Sequence, residues 1–142
     1  MKFSLLVVCF CCMISCSTKP SMEDVHYLNG FWEIEKAETP YETKSYKINL
    51  MVDYIQVEDT LGFRKKMQPS LLGSYKSSQN RENFTIRDAG DSLVFIYENQ
   101  YNTWTETLLS IEKNKFVVKN DEDFTYTYKR HKNSKINLDD EE

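Results

Sequence analysis

The sequence predicts an all-β protein, a small antiparallel up-and-down β-barrel of about eight or nine strands. Three observations carry this. Runs rich in Val, Ile, Tyr, Phe and Thr follow one another from Leu28 to Arg130, with turn signals between them. No stretch of useful length has the 3.6-residue apolar period of an amphipathic helix. The turns are of hairpin length, which favours a meander, and closing the meander removes the unpaired edges of an open sheet.

Leu28 to Glu38 reads as the first strand. It opens with the turn pair Asn29-Gly30 and then alternates, with Trp32 and Ile34 on one face and Glu33 and Glu35 on the other. Ahead of it, Val25, Tyr27 and Leu28 either pack as a lead-in or form a short helical turn that closes the barrel base. Tyr46-Lys47-Ile48-Asn49-Leu50 alternates as the next strand, and its run continues to Val57. Ile55 and Val57 lie on the opposite parity from Ile48 and Leu50, so a bulge is expected near Val52-Asp53. Glu58-Asp59-Thr60 is a turn. Leu61 to Met67 is a strand ended by Pro69. Leu72 to Ser77 follows, then a polar break at Gln79-Asn80-Arg81. Phe84 and Ile86 mark a further strand, and Asp88-Ala89-Gly90-Asp91 is a hairpin turn. Leu93 to Tyr97 is fully apolar, and Asn99-Gln100-Tyr101-Asn102 breaks it. Thr103 to Ile111, Lys115 to Lys119 and Phe124 to Arg130 complete the set, with turns at Glu112-Lys113-Asn114 and Asn120-Asp121-Glu122. Residues 132–142 carry few apolar groups and end in four acids, so disorder is expected there.

The chain of 142 residues suffices for one domain, expected at residues 25–131. Residues 1–15 read as a secretory signal. Lys2 is its charged start, and the apolar run Phe3 to Ile14 is too short to span a bilayer, which needs roughly 20 residues. Ser15-Cys16 at its end resembles a bacterial lipobox, with Met13 where Leu is commoner. That resemblance implies that Cys16 becomes the first mature residue and is acylated, with residues 16–24 as its tether. Cys9, Cys11 and Cys12 leave with the signal, so no intramolecular disulfide is available. Removing residues 1–15 leaves 17 basic against 22 acidic residues, a net of -5. That balance excludes a nucleic-acid partner, which needs a basic stripe.

Four segments resemble a group of small lipocalin-like lipoproteins of Bacteroidota: Leu28-Asn29-Gly30-Phe31-Trp32, Gly62-Phe63-Arg64-Lys65-Lys66, Thr103-Trp104-Thr105-Glu106-Thr107 and Tyr126-Thr127-Tyr128-Lys129-Arg130. The resemblance implies a lipocalin-like barrel in which Trp32, entering after Gly30, plugs one end, with Arg130 over its ring. It also implies an address in the cell envelope, in the outer membrane, with the acyl chains on Cys16 as the membrane partner. Asp59-Thr60-Leu61 and Asp91-Ser92-Leu93 look like acceptors of the O-glycosylation system of the same bacteria.

Catalytic chemistry finds little support. His26 and His131 lie at opposite ends of the domain, and no His/Cys/Asp cluster has metal-ligand spacing. There is no nucleophile elbow, no Cys/His pair and no phosphate loop, so neither an enzyme nor a cofactor is expected. Glu98 and Glu106 sit at strand-centre positions of adjacent strands and read first as solvent-facing. Glu106, however, shares the parity of Trp104 and Leu108. If it points inward it needs a partner, and Arg64 is the candidate. Phe124, Tyr126 and Tyr128 share a face with Arg130, and one face of the Leu93 to Tyr97 run joins them. Trp104, Glu106, Tyr97, Tyr126, Tyr128 and Arg64 are therefore the candidate ligand-binding residues. Two functions follow. In the first, the barrel holds a small apolar or aromatic ligand. In the second, side chains fill the core and the surface docks an envelope protein partner, since barrels of about eight strands are often filled.

Overall fold

The computed structural model describes residues 19–132. The expected signal, Cys16 and the acidic tail beyond Lys132 lie outside the described residues. A 3-10 helical turn, Met22–Leu28, comes first, with Val25 and Leu28 buried. Of the two expected forms of this lead-in, the helical turn is the one present, and Leu28 belongs to it rather than to the first strand. Nine strands follow: β1 Gly30–Glu38, β2 Thr43–Ser45, β3 Val52–Glu58, β4 Leu61–Pro69, β5 Tyr75–Asp88, β6 Leu93–Glu98, β7 Thr103–Glu112, β8 Lys115–Asn120 and β9 Thr125–Arg130.

All pairings are antiparallel. From β3 to β9 each strand pairs with the next, and β1 pairs with both β3 and β9. Eight strands thus close an up-and-down barrel, and β2 adds a short ninth to the distal half of β1. The register sets the lumen. Trp32, Ile34, Ile55, Phe84, Phe95, Leu108, Phe116 and Tyr128 face inward, and Val25 and Leu28 of the helical turn pack against them from one end. Fully buried apolar side chains such as Trp32, Phe116 and Leu108 stabilise the fold by about 25 cal/mol per Å² withdrawn from water. The core cluster and both strands of the closing β1–β9 ladder lie between Met22 and His131, so the barrel is complete within these residues.

Three local expectations are corrected. Tyr46 to Leu50 is not a strand. Its alternation had no free ladder to join, because β2 already pairs with β1 there. The segment only crosses from β2 to β3, held by Tyr46 N–H on Glu35 O (2.9 Å) and Asn49 Nδ2 on Ile34 O (2.9 Å). Second, the bulge at Val52-Asp53 is absent, and β3 pairs with β4 without interruption from Val52 to Glu58. The apparent switch of face came from counting Ile48 and Leu50 as sheet residues. Third, the strands expected at Leu72–Ser77 and Phe84–Ile86 are one strand, β5. The polar stretch between them is a register irregularity against β4, between Lys65 and Met67. Other shifts fall between Ile34 and Lys36, and between Leu108 and Ser110.

Candidate functional site

The base of the barrel is built around Trp32, whose ring is 0% exposed. Its Nε1–H donates to Leu28 O at 2.7 Å, tying the strand to the helical turn. Phe116 meets the indole edge-on at 4.7 Å. The Arg130 guanidinium lies 3.8 Å over the ring, a cation–π contact. Its N–H groups donate to three carbonyls: Asn29 O and Tyr27 O, each at 2.7 Å, and Lys113 O at 2.6 Å. One side chain therefore joins the helical turn, the first strand, the last strand and the β7–β8 turn. Gly30 permits this. Its φ is +123°, and a Cβ there would stand 2.7 Å from Arg130 Nη1. Of the three residues expected to close the barrel, Arg130 lies over the Trp32 ring and against Gly30.

Towards the other end the lumen turns polar. Glu106 is 6% exposed, so parity rather than the solvent-facing reading described it correctly. Glu98, its neighbour in that argument, is exposed. The Tyr97 hydroxyl donates to Glu106 Oε2 at 2.9 Å, and Arg64 Nη1 lies 3.5 Å from the same oxygen. Arg64 also reaches Glu82 at 3.4 Å and sits 5.3 Å from the Tyr97 ring centroid. Trp104 stacks on Tyr97 at 5.1 Å, nearly parallel. Tyr128 stacks on Phe116 at 4.7 Å, and Tyr126 is half-buried beside the core. The structure thus brings all six candidate ligand residues to one lumen. Burial pushes the Tyr97 and Tyr128 hydroxyls well above the ordinary phenol range, so both are neutral. Burial works against the Arg64 cation, but the surrounding phenols and carboxylates outweigh it and hold its pKa above the ordinary value.

The sequence reading missed Asp53, which is 2% exposed and faces the lumen opposite Trp32. Lys66 Nζ lies 2.8 and 3.0 Å from its two carboxylate oxygens. Its parity with Ile55 was the available signal, and the bulge assumed at that position hid it. Of the basic run 64–66, Arg64 and Lys66 reach lumen carboxylates, and neither belongs to a surface anion patch. The two histidines do not sit at opposite ends. His26 is in the base turn, and His131 follows β9 at the same end, because an even number of barrel strands returns the chain to where it started. His131 Nδ1 lies 3.0 Å from Glu33 Oε2, and Lys129 Nζ 3.1 Å from Oε1.

Two grooves, of about 630 and 740 Å³, lie on the outer wall. The first runs over Gln56, Phe63, Arg81, Asn83 and Ile96, with Arg81 packed 3.9 Å from the Phe63 ring centroid. The second is bounded by Lys36, Tyr46, Lys115 and Thr127. Thr60 is exposed in the β3–β4 turn, while Ser92 is half-buried before β6. Among the described residues no group of three or more His, Cys, Asp or Glu is placed to hold a metal ion. No helix among them is long and apolar enough to cross a membrane. Comparison with protein-family models, with curated proteins and with solved structures gives no match to this chain.

Proposed function

We propose that this chain is a non-catalytic, lipid-anchored envelope protein whose barrel is filled by its own side chains and which acts through its surface. One observation carries the filled-barrel reading. Four of the six residues that would line a ligand cavity are spent on one another, Tyr97 on Glu106, Glu106 on Arg64 and Trp104 on Tyr97, and a fifth, Tyr128, is stacked on Phe116. A cavity ligand would have to break these contacts before making its own. The anchor rests on Ser15-Cys16 behind an apolar run. One acyl chain holds only marginally, and the two or three of a lipoprotein hold stably.

A second reading rests on Trp104 and Tyr126, which remain half-buried beside Glu106. In this reading a small aromatic ligand stacks on them and is oriented by Arg64 and the phenols. Native mass spectrometry of the protein purified from its own host separates the two. The filled barrel carries no small molecule, and a retained mass that Glu106→Leu abolishes at near-normal stability establishes the second reading instead. Cys16→Ala tests the anchor: the variant is expected to leave the membrane fraction. An unprocessed Cys16→Ala precursor that still sediments with the envelope would show that residues 1–15 themselves hold the protein there.

A further inference from the structure

We propose that the β4–β5 hairpin is a strap, latched across the outer wall by Tyr75, that opens as a unit while the barrel stays closed. Its course is set by a mismatch between the two strands. Lys65 pairs with Arg81 and Met67 with Ser77, so Lys66 alone on β4 stands opposite Ser78, Gln79 and Asn80 on β5. Extra residues on one strand bend a hairpin away from its sheet. The β4 side of this bend is pinned. Lys66 still pairs with Asp53 of β3, and its ammonium reaches the Asp53 carboxylate at 2.8 Å. The β5 side is polar, with Gln79 and Asn80 exposed. Beyond the bend the ladder holds only Met67–Ser77, Gln68–Lys76 and Pro69–Tyr75, closed by a turn in which Ser70 N–H donates to Ser74 O at 2.8 Å. A two-stranded ribbon of that length is marginal in water by itself.

Tyr75 supplies the hold. Its ring stacks on Phe31 at 4.1 Å, 13° from parallel, and meets the His131 ring edge-on at 6.0 Å. Strands β3 and β4 stand between β5 and β1 in the sheet, which sets the two backbones roughly 14 Å apart in an unbent wall. The stack therefore requires the hairpin to fold back over the outside of the barrel. Leu71, Leu72 and Lys76 of the arm are exposed, so the ring contacts that grip the wall run through Tyr75. The closed position also carries a local cost. His131 Nδ1 is held by Glu33 at 3.0 Å, but Nε2 is buried with no partner among the described residues. An unpaired buried nitrogen favours opening, which gives it water. The Tyr75 stack favours closure. The ladders of β1 with β3 and with β9, which close the barrel, include no residue of the arm. Opening is thus separable from unfolding. It uncovers Phe31, the end of a row of outward rings in which Phe31 and Tyr54 lie 4.9 Å apart and Tyr54 and Phe63 5.9 Å. Phe63 borders the first outer groove. The strap governs how much aromatic wall the barrel presents, whether or not the lumen is filled.

The test uses residues 19–142, which carry the complete barrel. Amide hydrogen exchange is read by mass spectrometry in peptides from the arm, residues 67–77, and from β6 to β9. Arm amides are expected to exchange at a rate that low urea leaves unchanged, while those of β6 to β9 are slower and follow global unfolding. Tyr75→Ala speeds the arm about tenfold and leaves β6 to β9 as they were. Tyr75→Phe keeps the ring and matches the unsubstituted chain. Diethyl pyrocarbonate, which modifies accessible imidazole nitrogens, reads the latch itself. His131 is expected to react slowly in the unsubstituted chain and about tenfold faster in Tyr75→Ala, with the exposed His26 as internal standard. Arm amides that exchange only with the barrel, or as fast as an unstructured peptide, overturn the proposal. So does a Tyr75→Ala variant in which the arm and His131 keep their rates, or in which the whole barrel speeds equally with the arm.

Discussion

Replacing Glu106 by Leu tests the lumen network most directly. The carboxylate is the shared acceptor of the Tyr97 hydroxyl at 2.9 Å and of Arg64 at 3.5 Å, with the Glu106 and Arg64 side chains 8% and 14% exposed. Removing it leaves a buried phenol without an acceptor, which costs about 1–3 kcal/mol. It also leaves Arg64 with a single carboxylate partner, the half-exposed Glu82 at 3.4 Å. Breaking one partner of a buried ion pair typically costs about 3–5 kcal/mol, because the other charge stays desolvated. The two effects overlap, so Glu106→Leu is expected to lose about 3–5 kcal/mol of a total that for such a domain is roughly 5–15 kcal/mol. Glu106→Gln keeps an acceptor for Tyr97 and should lose only about 1–2 kcal/mol. Arg64→Leu combined with Glu106→Leu should be more stable than Glu106→Leu alone, since the stranded cation is gone. Urea denaturation of the wild type, Arg64→Leu, Glu106→Leu and the double variant measures the cycle. Additive losses, with no coupling above about 0.5 kcal/mol, would refute the claim that the pair is one buried unit.

Trp32→Ala should cost about 3–5 kcal/mol, since it empties the base and strands Arg130; an unchanged urea midpoint would remove the indole from the core. Gly62→Ala should cost about 1–3 kcal/mol, because the new methyl meets the Phe84 ring and stands 3.1 Å from Gln56 O. A wild-type melting temperature for Gly62→Ala would mean that Phe84 is free to move. Burial pushes Glu33 up, but hydrogen bonds from His131 and Lys129 outweigh it and hold its carboxyl below the ordinary value of 4.5. Its contribution is therefore complete above pH 4.5 and is lost as pH falls through the depressed value. Acid titration of stability should show a shallower limb for Glu33→Gln below that pH, and superimposable limbs would dismiss the group.

The barrel was legible because its signals are local. Alternation and turn residues marked β1, β4 and β6 to β9 to within a few residues, and parity along Thr103 to Leu108 put Glu106 inward beside Trp104. The lumen partners were legible in part, since Arg64 was named for Glu106 on charge alone. What failed depends on pairing, which alternation does not encode. Tyr46 to Leu50 alternates as well as any strand in the chain, yet its two apolar members are among the most exposed side chains. Thr43–Ser45, with no apolar residue, became the strand because β1 offered it a ladder there. Burial followed the partner and not the pattern.

The register shifts explain why parity served some residues and failed others. A bulge adds a residue to one strand and turns the side chains beyond it to the other face. In β1 the inward set is Trp32 and Ile34 before the shift and Ala37 after it. In β7 it is Glu106 and Leu108 before and Ile111 after, with Leu109 left 43% exposed between them. Parity counted from Trp32 or Trp104 therefore holds only up to the next shift. Both named clusters fall inside such uninterrupted stretches, and that is why they could be read. Each bulge also adds twist and bends its strand, which an eight-stranded sheet needs in order to meet its own first edge. The residues that defeat a simple alternation count are thus among those that let β1 reach β9 and bring Arg130 over Trp32.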